Sequence, residues 1–244
     1  HADGRFHHLW WRRYRLNVDV LFLDDGSFVP IHAIPRVIIV DPANRKTKSS
    51  KYTAMGVYGD LGKQRLAVLD MVRRQLSINE IIPELRRLCY RWVPTYVGIE
   101  ANGFQIALVE EARAWPDVPT VLELEPEGKS KLTRATRAII RAEQGLVYIP
   151  NEAAWLEDFE SELQTFTGDD KLDAYSDQTD TLAYACIVSE KYGMASAGEP
   201  FLCTQSEQQS MWEGPGVGKR QSIPPPGMND TYLGDRPKRG RVGW

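Results

Sequence analysis

The sequence predicts an α/β fold: a mixed sheet, made of an antiparallel three-strand meander plus parallel strands, flanked by helices. Three observations predict it. Three β-rich runs follow one another at 36–41, 52–60 and 64–71, the last two joined by a short hairpin turn. Two further runs, 96–100 and 120–124, are separated by a helical stretch, and a strand, helix, strand order implies a crossover and a parallel pair. Several segments carry apolar residues at helical spacing.

Taken in order, residues 1–35 mix aromatics and arginines, with Trp10-Trp11-Arg12-Arg13-Tyr14-Arg15 ahead of a turn at Asp24-Asp25-Gly26-Ser27. They lack sustained periodicity and read as an N-terminal arm or linker packed on a larger body. Arg36 to Asp41 is a buried strand, and Leu61-Gly62-Lys63 is the hairpin signal between the strands Tyr52 to Asp60 and Gln64 to Met71. Ser77 and Glu80 have capping-box spacing, and Ile78, Ile81, Ile82, Leu85, Leu88, Cys89 and Trp92 follow at helical spacing. After strand 96–100, Asn102 and Gly103 shape the exit, and an amphipathic helix from Gly103 to Trp115 turns Ile106, Leu108, Val109 and Ala112 inward before strand Thr120 to Leu124.

Lys131 to Glu143 is the next helix, ended at Gly145, with Leu132, Ala135 and Ile139 inward and Lys131, Arg134, Arg137 and Arg141 on a polar side. Asn151 is expected to cap a helix whose Trp155, Phe159, Leu163 and Phe166 enter the core. The loop Thr167-Gly168-Asp169-Asp170 closes it, Asp173 belongs to the same solvated stretch, and a last helix runs from about Ser176 to Lys191. Beyond Gly193 the sequence turns to Gly, Pro, Ser and Gln, which cannot bury enough apolar surface to offset chain entropy. The expected organisation is an arm at 1–35, a domain at 36–193 and a disordered tail at 194–244.

A formal net charge of −3 excludes a blanket polycation, so contact with nucleic acid falls to local basic patches. Cys89, Cys186 and Cys203 show no metal-ligand spacing and fit small core residues in a reducing compartment. No apolar run reaches the roughly 20 residues of a membrane span. The start carries no signal-peptide core, so no membrane association and a cytosolic location are expected.

Two buried runs each end on a carboxylate. Arg36-Val37-Ile38-Ile39-Val40 delivers Asp41, and Tyr96-Val97-Gly98-Ile99 delivers Glu100. A buried, unpaired carboxylate costs several kcal/mol, and a divalent cation is the usual compensation. Were these strands neighbours, Asp41 and Glu100 would come within reach of one ion. Asp177 and Asp180, at i and i+3, share one helix face and can close the set. Oxygen ligands without His or Cys select Mg²⁺ or Mn²⁺ over zinc.

Five segments carry a resemblance. Val40-Asp41-Pro42-Ala43, Ile99-Glu100-Ala101-Asn102-Gly103, Lys131-Leu132-Thr133-Arg134-Ala135, Gly145-Leu146-Val147-Tyr148-Ile149-Pro150 and Ser176-Asp177-Gln178-Thr179-Asp180-Thr181-Leu182-Ala183-Tyr184-Ala185 resemble, in the same order, the nuclease domain of tailed-bacteriophage large terminase subunits. The resemblance covers residues 36–193 and implies an RNase H-like fold that cuts concatemeric double-stranded viral DNA during packaging, with two Mg²⁺ or Mn²⁺ ions. By matching position it implies Asp41, Glu100 and Asp177 as catalytic metal ligands, with Asp180 contributing to the metal set. It tilts the basic stripe, chiefly Lys131 and Arg134 with Arg137 and Arg141 behind them, toward DNA phosphates. Ser176 and Ser130 stand where that family commonly has acids, which leaves the triad intact. The full-length proteins of that family imply portal and small terminase subunit as partners, in the cytoplasm of a bacterial host.

No ATPase activity is expected from this chain. Gly214-Pro215-Gly216-Val217-Gly218-Lys219-Arg220 lacks the first glycine of a phosphate loop, has Arg220 in place of Ser or Thr, and follows no strand. Two other readings remain open on the residues alone: a junction resolvase or transposase-type nuclease, and a non-enzymatic packaging docking module.

Overall fold

The computed structural model describes residues 4–43, 52–101, 105–125, 130–169 and 171–192. The tail at 194–244, Cys203, the glycine-rich segment at 214–220, Asp170 and the Asn102-Gly103 exit lie outside the described residues.

The meander forms as the runs predict. β4 (Arg36–Asp41) pairs antiparallel with β5 (Thr53–Asp60), and β5 pairs antiparallel with β6 (Leu66–Arg74). β6 starts two residues later than read and runs on to Arg74. β7 (Tyr96–Glu100) then lies parallel to β4, and β8 (Thr120–Leu124) lies parallel to β7. Both crossovers are helical: α1 (Ile78–Trp92), started by the Ser77/Glu80 capping box, and α2 (Gln105–Ala114).

The sheet extends beyond the meander on its other side. β9 (Val147–Pro150) adds parallel to β6. Residues read as an arm form β1 (Arg12–Asn17), β2 (Val20–Leu23) and β3 (Phe28–Pro30), and β1 lies parallel to β9. The nine strands run β3-β2-β1-β9-β6-β5-β4-β7-β8. The period-two signal was hidden here because β1 buries only Tyr14 of its six residues.

Alternating side chains divide the core into two layers. On one face Ile38, Val40, Val57, Val97 and Ile99 meet α1 and α2. On the other, Val37, Ile39, Tyr58 and Val68 meet α3 (Lys131–Glu143), α4 (Leu156–Thr165) and α5 (Asp177–Lys191). Gly98 gives room in this second layer to the ends of two side chains, since a Cβ there would sit 2.7 Å from Leu124 Cδ1 and 2.9 Å from Ile39 Cδ1.

Four local expectations are corrected. Ile106 and Ile78, in the first turns of α2 and α1, are 46% and 40% exposed. Asn151 lies in a bend and its N–H bonds the Tyr14 carbonyl; the N-cap of α4 is Trp155. Arg141 is buried, as taken up below. Phe159 and Phe166 enter the core as expected, and Gly145, at φ +67°, ends the segment after α3.

Candidate metal centre

Asp41 and Glu100 are the last residues of two adjacent parallel strands. Val40 is level with Ile99, so the register carries Asp41 beside Glu100, one strand spacing of roughly 4.8 Å away. Parity points both to the face covered by α5, together with Ile39 and Gly98. The exit from β4 is held by Gln105 Nε2, which donates to the Pro42 carbonyl at 2.8 Å. The two carboxyl groups are close enough for the Glu100 charge to raise Asp41.

The opposing wall is the first turn of α5. It docks through a buried relay in which the Tyr58 hydroxyl meets Thr181 Oγ1 at 2.7 Å and Thr181 Oγ1 donates to the Gln178 carbonyl at 2.7 Å. Asp180 is 5% exposed; Arg134 donates to its Oδ1 at 2.9 Å and Ser176 Oγ to its Oδ2 at 3.3 Å. Lys131 Nζ donates to Ser176 Oγ at 2.7 Å. The serine standing where an acid was expected thus passes the Lys131 charge toward Asp180.

Electrostatics bind these groups into one set. Burial, then the Glu100, Asp180 and Asp177 charges, hold the Asp41 carboxyl well above the ordinary carboxylate range. Burial and Asp180 raise Glu100, against the pull of Arg134 and Lys131. Asp177 is pushed up to about 6 by burial and by Glu162, opposed by Arg73 and Lys131. Mutually raised carboxyls in one recess mark an excess of negative charge. Among the described residues no three Asp, Glu, His or Cys side chains already close about a single point, and Asp180 is paired with Arg134. The donor set is wholly carboxylate oxygen, which fits a hard divalent cation.

The basic stripe on α3 divides. Arg137 is half exposed and pairs with Glu190 at 3.0 Å. Arg141 is 3% exposed, bonded to Ser189 Oγ, the Cys186 carbonyl and Glu190, so it faces the α5 interface rather than solvent. One helical turn separates them, and α5 covers only the second. Lys131 and Arg134 are the members that meet the acidic recess.

Glu162 and Arg73 were missed. Glu162 is a buried acid on α4, and its position among Phe159, Leu163 and Phe166 places a charge on an apolar face, a signal legible at i, i+3, i+4 spacing. Arg73 carried none, since only folding brings it between Tyr52 and Tyr175.

A mixed sheet of this order, delivering acids from two neighbouring strand ends to a covering helix, defines an RNase H-like α/β protein. A family profile described as the terminase RNaseH-like domain matches residues 38–188, and the chain belongs to that family. The large terminase nuclease of thermophilic phage G20c, solved with bound magnesium, has the same fold at TM-score 0.53 and 18% identity, covering 77% of this chain and 98% of that one. Its zinc-bound form gives 0.51 at 20% identity, over 74% and 92%. The human cytomegalovirus terminase nuclease domain gives 0.50 at 13% identity, over 65% and 84%. No curated protein matches the sequence. Family membership supports a nuclease role in DNA packaging.

Proposed function

We propose that this chain is a metal-dependent endonuclease that cuts concatemeric double-stranded viral DNA, with little sequence specificity, by two-metal hydrolysis leaving 5′-phosphate and 3′-hydroxyl ends. The observation that supports it is that Asp41 and Glu100 end paired strands and that the Asp180 and Asp177 charges on α5 reach Asp41. Asp41, Glu100 and Asp177 would hold the ions, and Asp180 would assist. When bound, the cations supply Lewis acidity, lowering the pKa of water and neutralising charge on the phosphodiester oxygens. The G20c neighbour solved with magnesium accords with that choice of cation.

The chain's own residues do the rest. Arg134 and Ser176 hold both oxygens of Asp180 and keep it from rotating away. Lys131 and Arg134 place positive charge beside the acids, where a DNA phosphate would enter, and Arg137 extends that charge along α3. Buried Arg141 takes no part in it. Phosphate contacts of this kind make binding fall steeply with salt. As part of a longer packaging protein the domain would work beside portal and small terminase subunit in the bacterial host cytoplasm. Among the described residues no helix is long and apolar enough to cross a membrane.

The test is plasmid cleavage with Mn²⁺. Asp41→Ala and Asp177→Ala should each lose cutting by at least about a hundredfold, a loss of transition-state stabilisation rather than of folding. Retained cutting in both refutes the assignment. Calorimetric titration with Mn²⁺ should show stoichiometric binding that Asp41→Ala abolishes.

A further inference from the structure

Glu162 is 7% exposed, and a buried carboxylate must find partners or neutralise. Its Oε1 accepts from the Thr179 backbone N–H at 2.9 Å and from Thr179 Oγ1 at 3.2 Å. Its Oε2 accepts from Gln178 Nε2 at 3.0 Å and faces Arg73 Nε at 3.6 Å. With two partners on each oxygen, this carboxylate is engaged by protein donors and is poorly suited to be a metal ligand.

What those donors are is the informative part. The first N–H groups of a helix have no partner within the helix, and the N-cap side chain commonly takes one. At α5 the N-cap is Ser176, which makes no such bond; its hydroxyl accepts from Lys131 and donates to Asp180 instead. The vacancy at Thr179 is filled from another helix, by a negative charge at the positive end of the α5 dipole.

The cap is itself held. The Arg73 guanidinium lies 4.1 Å from the Tyr52 ring centroid and 4.4 Å from that of Tyr175, and the two rings meet edge-on at 80°. Stacking on two aromatic faces fixes a planar guanidinium as it cannot fix an ammonium. Tyr52 precedes β5, Arg73 is the penultimate residue of β6, and Tyr175 leads into α5, so the clamp ties the sheet to the turn bearing Asp177 and Asp180.

Resting on the reading of Asp177 as a ligand, we propose that Glu162, steadied by Arg73, is a positioning residue: it caps α5 from α4 and so places the ligand-bearing turn, touching neither cation nor DNA.

The test uses the full chain and Glu162→Gln, which keeps the size and loses the charge. The Mn²⁺ dissociation constant measured by calorimetry should rise about tenfold, the usual effect of disturbing a group that orients a ligand. Exchange of the Thr179 amide, read without metal, should quicken by about tenfold or more while β5 amides hold their protection. Cutting at saturating Mn²⁺ should stay within about threefold of the parent, a shift in metal dependence rather than in turnover. An unchanged Mn²⁺ isotherm and an unchanged Thr179 exchange rate overturn the proposal. Should Glu162→Gln fail to fold, Arg73→Lys carries the same measurements, with the same shift in Mn²⁺ affinity expected and an unchanged isotherm again overturning it. A parent chain that binds no Mn²⁺ sinks the nuclease reading itself; a parent that binds while the variants match it sinks this inference alone.

Discussion

Asp41, Glu100 and Asp177 couple folding to pH. All three carboxyls are raised above their ordinary range, Asp177 to about 6, first by burial and then by neighbouring acids or, for Asp177, by Glu162. A carboxyl with a native pKa above its unfolded one binds more protons when folded. Its stabilising contribution is present in full below the unfolded pKa and is lost as pH rises through the folded one. Without metal, the melting temperature should therefore fall between pH 5 and pH 7, with Asp177 alone responsible for about 1 kcal/mol. Asp177→Asn should flatten that slope, and Mg²⁺ at pH 7 should recover the lost stability because bound ligand favours the folded state. Scanning fluorimetry in chelator and in Mg²⁺ checks this; a melting temperature that climbs across the same window contradicts it.

At the level of elements, α5 decides whether the strand-borne and helix-borne acids meet. It is buried on nearly every side from Gln178 to Cys186, so packing rather than amphipathic patterning places it. Its register on the sheet is set by the Tyr58 to Thr181 hydrogen bond. Tyr58 can lie where it does because Gly56, two residues earlier on the same face of β5, has no side chain: a Cβ there would sit 2.5 Å from the ring. Gly56→Ala should therefore cost about 1–3 kcal/mol by overpacking and displace the tyrosine from Thr181. Urea denaturation gives the first quantity. Loss of stability without any fall in cleavage would show that the α5 register does not depend on Tyr58.

For the whole molecule, the first strands belong to the load of the fold. Phe6 and Trp11 sit in the layer under α4, stacked at 5.7 Å, while Tyr14 enters the opposite layer and donates from its hydroxyl to the Val68 carbonyl at 2.7 Å. β1 also covers the edge that β9 would otherwise present. A chain beginning at residue 36 would lose three large aromatics, each worth about 2–3 kcal/mol when buried, and expose a strand edge open to intermolecular pairing. That loss rivals the stability of an ordinary domain. The shortened chain should aggregate or melt without cooperativity, as size-exclusion chromatography and circular dichroism would report. A monomer with an unchanged melting temperature would show the arm to be dispensable.

Local patterns were legible in the sequence. The acid-tipped runs ending at Asp41 and Glu100, the capping box at Ser77 and the helices at 131–143 and 177–191 depend on residues a few positions apart, and the meander followed from them. Partners distant in the chain were not. The side on which Arg141 is buried, the capping of Thr179 by Glu162, the stacking of Arg73 and the pairing of β1 with β9 are decided by register and helix placement, which no periodicity encodes. The reason is physical: a side chain's type is written in its codon, but its field, its partners and its proton affinity come from whatever the folded chain brings within a few ångströms.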